Sequence, residues 1–111
     1  MAETLFFDSG LDRLTPAVVS AASSGDNTLV AAVTGKSLRI FKLVLVFAAD
    51  VDVIFKSGST ALTGTISMKA GGSIVLDFDI CPWFVTGAGE AFVMNLSGAQ
   101  QVSGNLYSVA R

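Results

Sequence analysis

The chain has 111 residues, of which 51% are hydrophobic and only 14% charged, with seven basic and nine acidic side chains. A chain of this length forms one domain with a real core, and its small negative charge excludes the basic surface that nucleic-acid binding requires. The shortage of charge, against about 25% in an average soluble domain, indicates that large surfaces contact something other than water.

Neither a membrane span nor a signal peptide is expected. A span requires about 18 consecutive apolar residues, but Lys42 and Asp50 interrupt the most apolar stretch, residues 37–57. The N-terminus has acidic residues where a signal peptide has a basic segment followed by a long apolar one, so we expect a chain that is used without translocation. The lone Cys81 excludes an internal disulfide and any site built from several cysteines.

Residues 1–15 are predicted to form an N-terminal arm, because acidic residues are spread among Leu and Phe before the break at Thr15 and Pro16. From residue 16 to 111 the chain repeats one theme: a run rich in Val, Ile, Phe and Thr, then a cluster of Gly, Ser, Asp or Asn. This theme is typical of strands separated by turns. Eight runs are present, at 16–22, 28–34, 38–48, 51–56, 60–68, 73–80, 90–97 and 101–109.

Several runs alternate in polarity with a period of two. In the fourth run Val51, Val53 and Phe55 share one parity, and Asp52 and Lys56 share the other. In the sixth run the apolar parity consists of Ile74, Leu76, Phe78 and Ile80. Such alternation predicts antiparallel strands with one wet face. We therefore predict an all-β fold, an antiparallel, jelly-roll-like β-sandwich of about eight strands, with residues 16–111 as its single domain.

Residues 43–47 break the alternation, because both parities are apolar there. A two-layer sandwich buries only one face of each strand in its own core, so Val44 and Val46 require another cover. The candidates are another subunit, the N-terminal arm and a long loop. We favour another subunit, because the chain has few charges and monomers seldom leave large apolar patches bare. Val44 and Val46 are therefore predicted interface residues.

The sequence contains no histidine, which removes the commonest general base and metal ligand and excludes Ser-His-Asp and Cys-His nucleophiles. The remaining candidates for acid–base chemistry are Asp50 with Asp52, Asp77 with Asp79, and Glu90. The Asp-x-Asp spacing places two carboxylates on one face of a strand, where a hard cation could bridge them. The same spacing is common on the wet face of a strand, so we expect no catalytic residue, no metal site and no cofactor.

Trp83 and Phe84 follow Pro82 at the mouth of the longest predicted loop. Three roles fit them: a plug at one end of the sandwich, an anchor in a protein interface, where Trp is enriched, and a platform on which a sugar stacks. The second role adds Trp83 and Phe84 to the predicted interface.

Three segments carry a family resemblance: SSGDNTLVAAVTGKSLRIFKLVL, FKSGSTALTGTISMKAGGSIVLDF and PWFVTGAGEAFVMNLSGAQQVSGNLYSV. In this order they resemble small structural proteins of tailed-bacteriophage virions, over about residues 20–110. Such proteins decorate or cement heads, or serve as fibre and baseplate modules. The resemblance implies strands, turns and contact surfaces without an active site, and assembly on a particle, commonly as trimers.

We therefore expect a non-enzymatic virion protein, made in the host cytoplasm, that decorates the capsid and stabilises it by binding across neighbouring capsomers. Its expected partners are further copies of itself and the major capsid protein, with no nucleic acid and no membrane. Leu5, Phe6 and Phe7 in the arm are expected to join the interface. The alternative is a tail-fibre or baseplate module that binds a host-surface glycan or receptor.

Overall fold

A computed structural model of the chain describes residues 14–111, and no helix occurs among them. They form two packed antiparallel sheets, which confirms the predicted all-β sandwich. The ten strands are β1 (Thr15–Ala21), β2 (Gly25–Val30), β3 (Leu38–Phe47), β4 (Val51–Ser57), β5 (Thr60–Ala61), β6 (Ile66–Met68), β7 (Ser73–Leu76), β8 (Phe84–Val85), β9 (Phe92–Leu96) and β10 (Val102–Ala110).

The strands are divided between two sheets, which we call sheet A and sheet B. Sheet A has the order β1-β10-β3-β7, with β8 also paired to β3, and sheet B has the order β2-β9-β4-β5, with β6 also paired to β4. Every pairing is antiparallel. Because β1 to β4 alternate between the sheets, the inward side chains of both sheets meet in one core.

The core is built from the inward parity of the long strands. The alternation predicted for β4 is confirmed, since Val51, Val53 and Phe55 are buried while Asp52 is exposed. Burying one such side chain stabilises the fold by about 1.5–3 kcal/mol. The largest fully buried side chains include those of Phe47, Phe55, Phe92, Leu38, Ile40, Leu43, Leu45, Met94, Leu96 and Leu106.

A β-bulge in β3 keeps its apolar side chains directed inward along ten residues. Lys42 pairs with Tyr107 and Ile40 pairs with Ser108, so Phe41 is an extra residue without a partner on β10. The buried parity consequently shifts from Leu38 and Ile40 to the odd-numbered residues from 43 to 47. Bulges of this kind bend a strand and redirect its side chains.

The strand predicted at 73–80 ends at Leu76, and this part of the prediction is wrong. The edge of β3 is shared by two short strands: β7 pairs with residues 43–46, and β8 pairs with residues 39–40. Because β8 occupies the second part of that edge, β7 cannot continue. Phe78 and Ile80 therefore lie in the following loop, 47% and 80% exposed, instead of facing the core with Ile74.

Two smaller differences concern strand ends. The run predicted at 60–68 is divided into β5 and β6 by a turn. β1 begins at Thr15, the last residue of the predicted arm, and residues 1–13 lie outside the described part of the chain. In the described part, no helix is long and apolar enough to cross a membrane.

Candidate interaction surface

The outer face of sheet A carries a row of residues aligned across four strands. Val18 pairs with Asn105, Asn105 with Val44, and Val44 with Val75. Val18 is 84% exposed and Val75 57%, and in the next row Val46 is 49% exposed. We call Val18, Val44, Val46 and Val75 the valine patch. The patch faces away from the core, and it includes polar neighbours: Asn105 lies between Val18 and Val44, and Val46 is flanked by Ser103 and Ser73.

The charged residues of sheet A are all basic. Its five strands, all within residues 14–111, contain no Asp or Glu and two cations, Arg39 and Lys42. The Lys42 ammonium lies 6.0 Å from the ring centroid of Tyr107, its partner on β10. A cation over an aromatic ring at this distance is attracted by the ring quadrupole by about 0.5–1 kcal/mol. The outer face thus combines exposed valines with positive charge.

The loop of residues 77–83 extends the apolar surface beyond the β7 edge. It contains Phe78 and Ile80, and it ends at Trp83, which is 45% exposed. The Trp83 indole N–H donates to the Asp77 carbonyl oxygen at 2.7 Å, and its backbone N–H donates to the Ile40 carbonyl oxygen at 2.7 Å. These two bonds hold the indole ring in one orientation while part of it remains in contact with solvent.

Phe84 has a different environment from its neighbour Trp83. It pairs with Ile40 on the inward parity, and its ring centroid lies 5.3 Å from that of Phe55 and 5.4 Å from that of Phe92. Aromatic rings at these separations attract one another in addition to burying apolar area. The geometry therefore favours the plug for Phe84, whereas Trp83 is available to a partner. Their place in an interface stays a prediction.

The outer face of sheet B combines a polar cluster with two apolar residues, Val93 and Ile54. Asp26 lies 3.0 Å from the Lys56 ammonium and accepts a hydrogen bond from the Asn95 amide at 2.7 Å. Two hydrogen bonds hold the pKa of Asp26 below its usual value of 3.8. The one from Asn95 has the larger effect, and the one from Lys56 has the smaller. A face whose polar groups satisfy one another in this way is suited to water. The two outer faces therefore differ, because the described strands that expose large hydrophobic side chains all belong to sheet A.

The four aspartates of the predicted pairs are exposed, and one carboxylate of each pair accepts a hydrogen bond from a backbone N–H. Asp50 accepts a hydrogen bond from the Ala70 backbone N–H at 2.9 Å, and its other oxygen lies 3.7 Å from the Lys69 ammonium. Asp79 accepts from the Ile80 N–H at 2.6 Å. Within residues 14–111 no group of three or more Cys, Asp or Glu side chains could hold a metal ion.

Glu90 bonds to a buried serine. The Ser57 hydroxyl donates to the Glu90 carboxylate at 2.5 Å and accepts from the Gly87 backbone N–H at 2.9 Å. Ser57, the last residue of β4, is only 3% exposed. Because water reaches its hydroxyl poorly, the two hydrogen bonds satisfy the hydroxyl in place of water. The arrangement ties the loop before β9 to β4 and leaves the hydroxyl fully engaged.

Some predicted and observed members of the surface do not coincide. Leu5, Phe6 and Phe7 lie outside the described residues. Val18 and Val75 were not predicted, although each has an apolar neighbour of the opposite parity in the sequence. Apolar residues at both parities are also what identified residues 43–47 in the sequence. In β1 and β7 this pattern covers too few residues to be distinguished from chance.

No protein-family model matches the chain, and no curated protein or solved structure matches it significantly.

Proposed function

We propose that this chain is a non-enzymatic structural protein that assembles through the outer face of sheet A. The valine patch carries the proposal: Val18, Val46 and Val75 expose about half or more of their surface on a folded domain. Apolar area removed from water contributes about 25 cal/mol per Å², and exposed apolar patches commonly mark interaction sites. The strands of sheet B, all within residues 14–111, provide the contrast, because none of them exposes a large hydrophobic side chain to this extent.

Within this class we propose a tailed-bacteriophage virion protein that decorates the capsid as a homotrimer. The resemblance of the three segments supports the virion assignment, and the low charge supports extensive contact with protein. Each copy would bury its valine patch and Trp83 across the junction between capsomers of the major capsid protein. The added contact area would resist the pressure of the packaged DNA.

We further propose that the sandwich is a jelly roll. β1 pairs with β10, β2 with β9, β3 with β7, and β4 with both β5 and β6. These nested pairs correspond to one long hairpin, and rolling it brings β10 beside β3 and β9 beside β4. Jelly rolls of two Greek keys recur in viral capsid proteins, so by analogy of fold the topology also favours the virion proposal.

Immunogold electron microscopy of purified particles tests the virion assignment. Antibodies against the chain should label the heads of particles at many regular positions, and the label should be absent from particles whose gene for the chain is deleted. Label confined to tails would overturn decoration of the head in favour of the fibre or baseplate role. Particles that lack the chain altogether would overturn both.

A glycan-binding tail module is the second candidate, and the exposed Trp83 ring favours it. The ring is fixed by its bond to the Asp77 carbonyl, and the exposed Asp79 lies four residues away in the sequence. Sugars stack on aromatic faces beside polar groups, so this edge offers a small platform. A glycan array with the wild-type chain and Trp83→Ala decides the matter: binding lost in the variant supports this role, and an empty array counts against it.

A further inference from the structure

Solvent exposure changes along the outer face of sheet A. Val18 is 84% exposed, but Leu14, which precedes β1 with the same parity, is only 9% exposed. Val109 on β10 has the outward parity, opposite to that of Ser108, and is only 6% exposed. Val109 pairs with Arg39, and Arg39 pairs with Val85 on β8. We call Leu14, Val109, Arg39 and Val85 the Arg39 row.

Arg39 has an unmet hydrogen-bonding requirement. Its Nε is buried and has no hydrogen-bond partner among residues 14–111. A buried donor without an acceptor costs about 1–3 kcal/mol, and more when it is charged. The strands of sheet A provide no carboxylate for it. An acceptor from another part of the protein, preferably an anionic one, would remove this cost.

The segment of residues 1–13 has the complementary chemistry. It contains three acidic side chains and one basic one, and four large apolar side chains besides its methionine. These residues are, respectively, Glu3, Asp8 and Asp12; Arg13; and Leu5, Phe6, Phe7 and Leu11. An acidic, aromatic segment matches a face that offers valines and only positive charge.

The segment also has sufficient length. It is joined directly to Leu14, at the β1 edge of the Arg39 row. From β1 to β8 the row crosses three strand spacings, which is about 14 Å. Thirteen extended residues reach roughly 43 Å, so the segment can cross the whole sheet.

We propose that the Arg39 row is the docking site for residues 1–13 of the same chain. A carboxylate of the segment accepts from Arg39 Nε, and its apolar side chains pack over Val85 and Val109. The docked segment covers one end of the outer face and leaves the valine patch open. The proposal does not depend on the virion assignment, because it concerns contacts within one chain.

A spin label on the segment tests this contact in the full chain. In a Cys81→Ser background, Thr4→Cys carries a nitroxide, and the valine methyl groups are observed by NMR. Val85 should lose most of its methyl intensity, while Val93 on the outer face of sheet B should retain its own. The matched control is the same labelled chain with Phe6→Ser and Phe7→Ser, in which Val85 should recover. Equal broadening of Val85 and Val93, or no difference from the control, would overturn the proposal.

Dilution distinguishes the chain's own segment from that of a neighbour. Spin-labelled, isotope-labelled protein is mixed with a large excess of unlabelled protein. If the Val85 methyl signals stay broadened after dilution, the segment docks on its own chain, as proposed. If the broadening disappears, the segment docks on a neighbouring copy and the proposal is overturned. Arg39→Gln should weaken the broadening, and Lys69→Gln, in the turn after β6, should not. An unchanged Arg39→Gln profile would refute the role of Arg39. None of these outcomes depends on particle binding, so failure here is separable from failure of the proposed function.

Discussion

Val44 lies directly opposite Val75 in the pairing of β3 with β7, and both project from the outer face of sheet A. The flanking pairs, Leu43 with Leu76 and Leu45 with Ile74, have the inward parity and contribute to the core. One pair of strands thus presents apolar side chains on both of its faces. A two-layer fold covers only one of those faces, and this geometric limit underlies the proposed assembly.

Replacing Val46 with Asp should abolish self-association without unfolding the chain. Val46 is 49% exposed, so the free energy of unfolding should fall by only about 1–2 kcal/mol, chiefly because Asp fits a strand poorly. A charge buried in an interface without a partner is strongly unfavourable. Sedimentation velocity should show trimers for the wild type and monomers for Val46→Asp.

Thr28→Asp, on the outer face of sheet B, is the matched control and should remain trimeric. A wild-type chain that sediments as a monomer would contradict the trimer itself.

Gly104→Ala should destabilise the fold by about 2 kcal/mol or more, because overpacking forces the backbone to move. Gly104 is paired with Leu45, and a Cβ there would overlap the Val44 carbonyl oxygen and lie 3.0 Å from the Leu45 Cα. Urea denaturation measures the effect. Gly98→Ala is the control: a Cβ at Gly98 has nothing within 4 Å, so its effect should stay within about 0.5 kcal/mol. Equal effects of the two substitutions would disprove the close approach of β10 to β3.

Phe84→Ala should destabilise the fold more than Trp83→Ala. Phe84 packs on Phe55 and Phe92, so its truncation should lower the free energy of unfolding by about 2–3 kcal/mol. Trp83 is 45% exposed, and its truncation should cost about 1–2 kcal/mol, because it removes the hydrogen bond to the Asp77 carbonyl and the buried part of the ring. Thermal and urea unfolding measure both values. If Trp83→Ala proved the more destabilising change, the assignment of Phe84 as the plug would be wrong.

The contribution of Asp26 to stability should depend on pH. Its folded-state pKa is lowered below 3.8 by the bonds from Asn95 and Lys56. Its ionised form therefore stabilises the fold fully above the unfolded-state pKa, and this contribution is lost as the pH falls through the lowered folded-state pKa. The effect should be modest and should weaken with added salt, because the Asp26 side chain is 49% exposed.

Asp26→Asn provides the comparison. In urea titrations the wild type should be the more stable protein near neutral pH, and the difference should shrink as the pH falls below 3.8, the usual pKa of the group. Lys56→Gln and the double variant complete a cycle that isolates the ion pair. A difference between wild type and Asp26→Asn that is the same at every pH would contradict the lowered pKa.

The sequence was most informative about strands that alternate in polarity along their whole length. β4 is the clearest example, because Val51, Val53 and Phe55 are buried as predicted. The strand predicted at 73–80 was wrong beyond Leu76. The alternation of apolar and polar residues continues to Phe78 and Ile80 in the sequence, but the pairing of β7 with β3 ends before them. Alternation shows which side chains share a face, but a strand persists only while its neighbour offers free hydrogen-bonding groups. On that edge of β3 the groups near Arg39 and Ile40 are taken by β8.

Local alternation therefore determined the all-β class and the inward faces of the long strands, and composition determined that histidine chemistry is absent. These are properties of neighbouring residues and of composition, which a sequence displays directly. The tertiary structure decided which outer face is apolar, because Val18, Val44 and Val75 are aligned only when β1, β10, β3 and β7 pair in their observed register. It also separated Trp83 from Phe84, because the pairing of Phe84 with Ile40 directs the Phe84 ring into the core and leaves the Trp83 ring partly exposed.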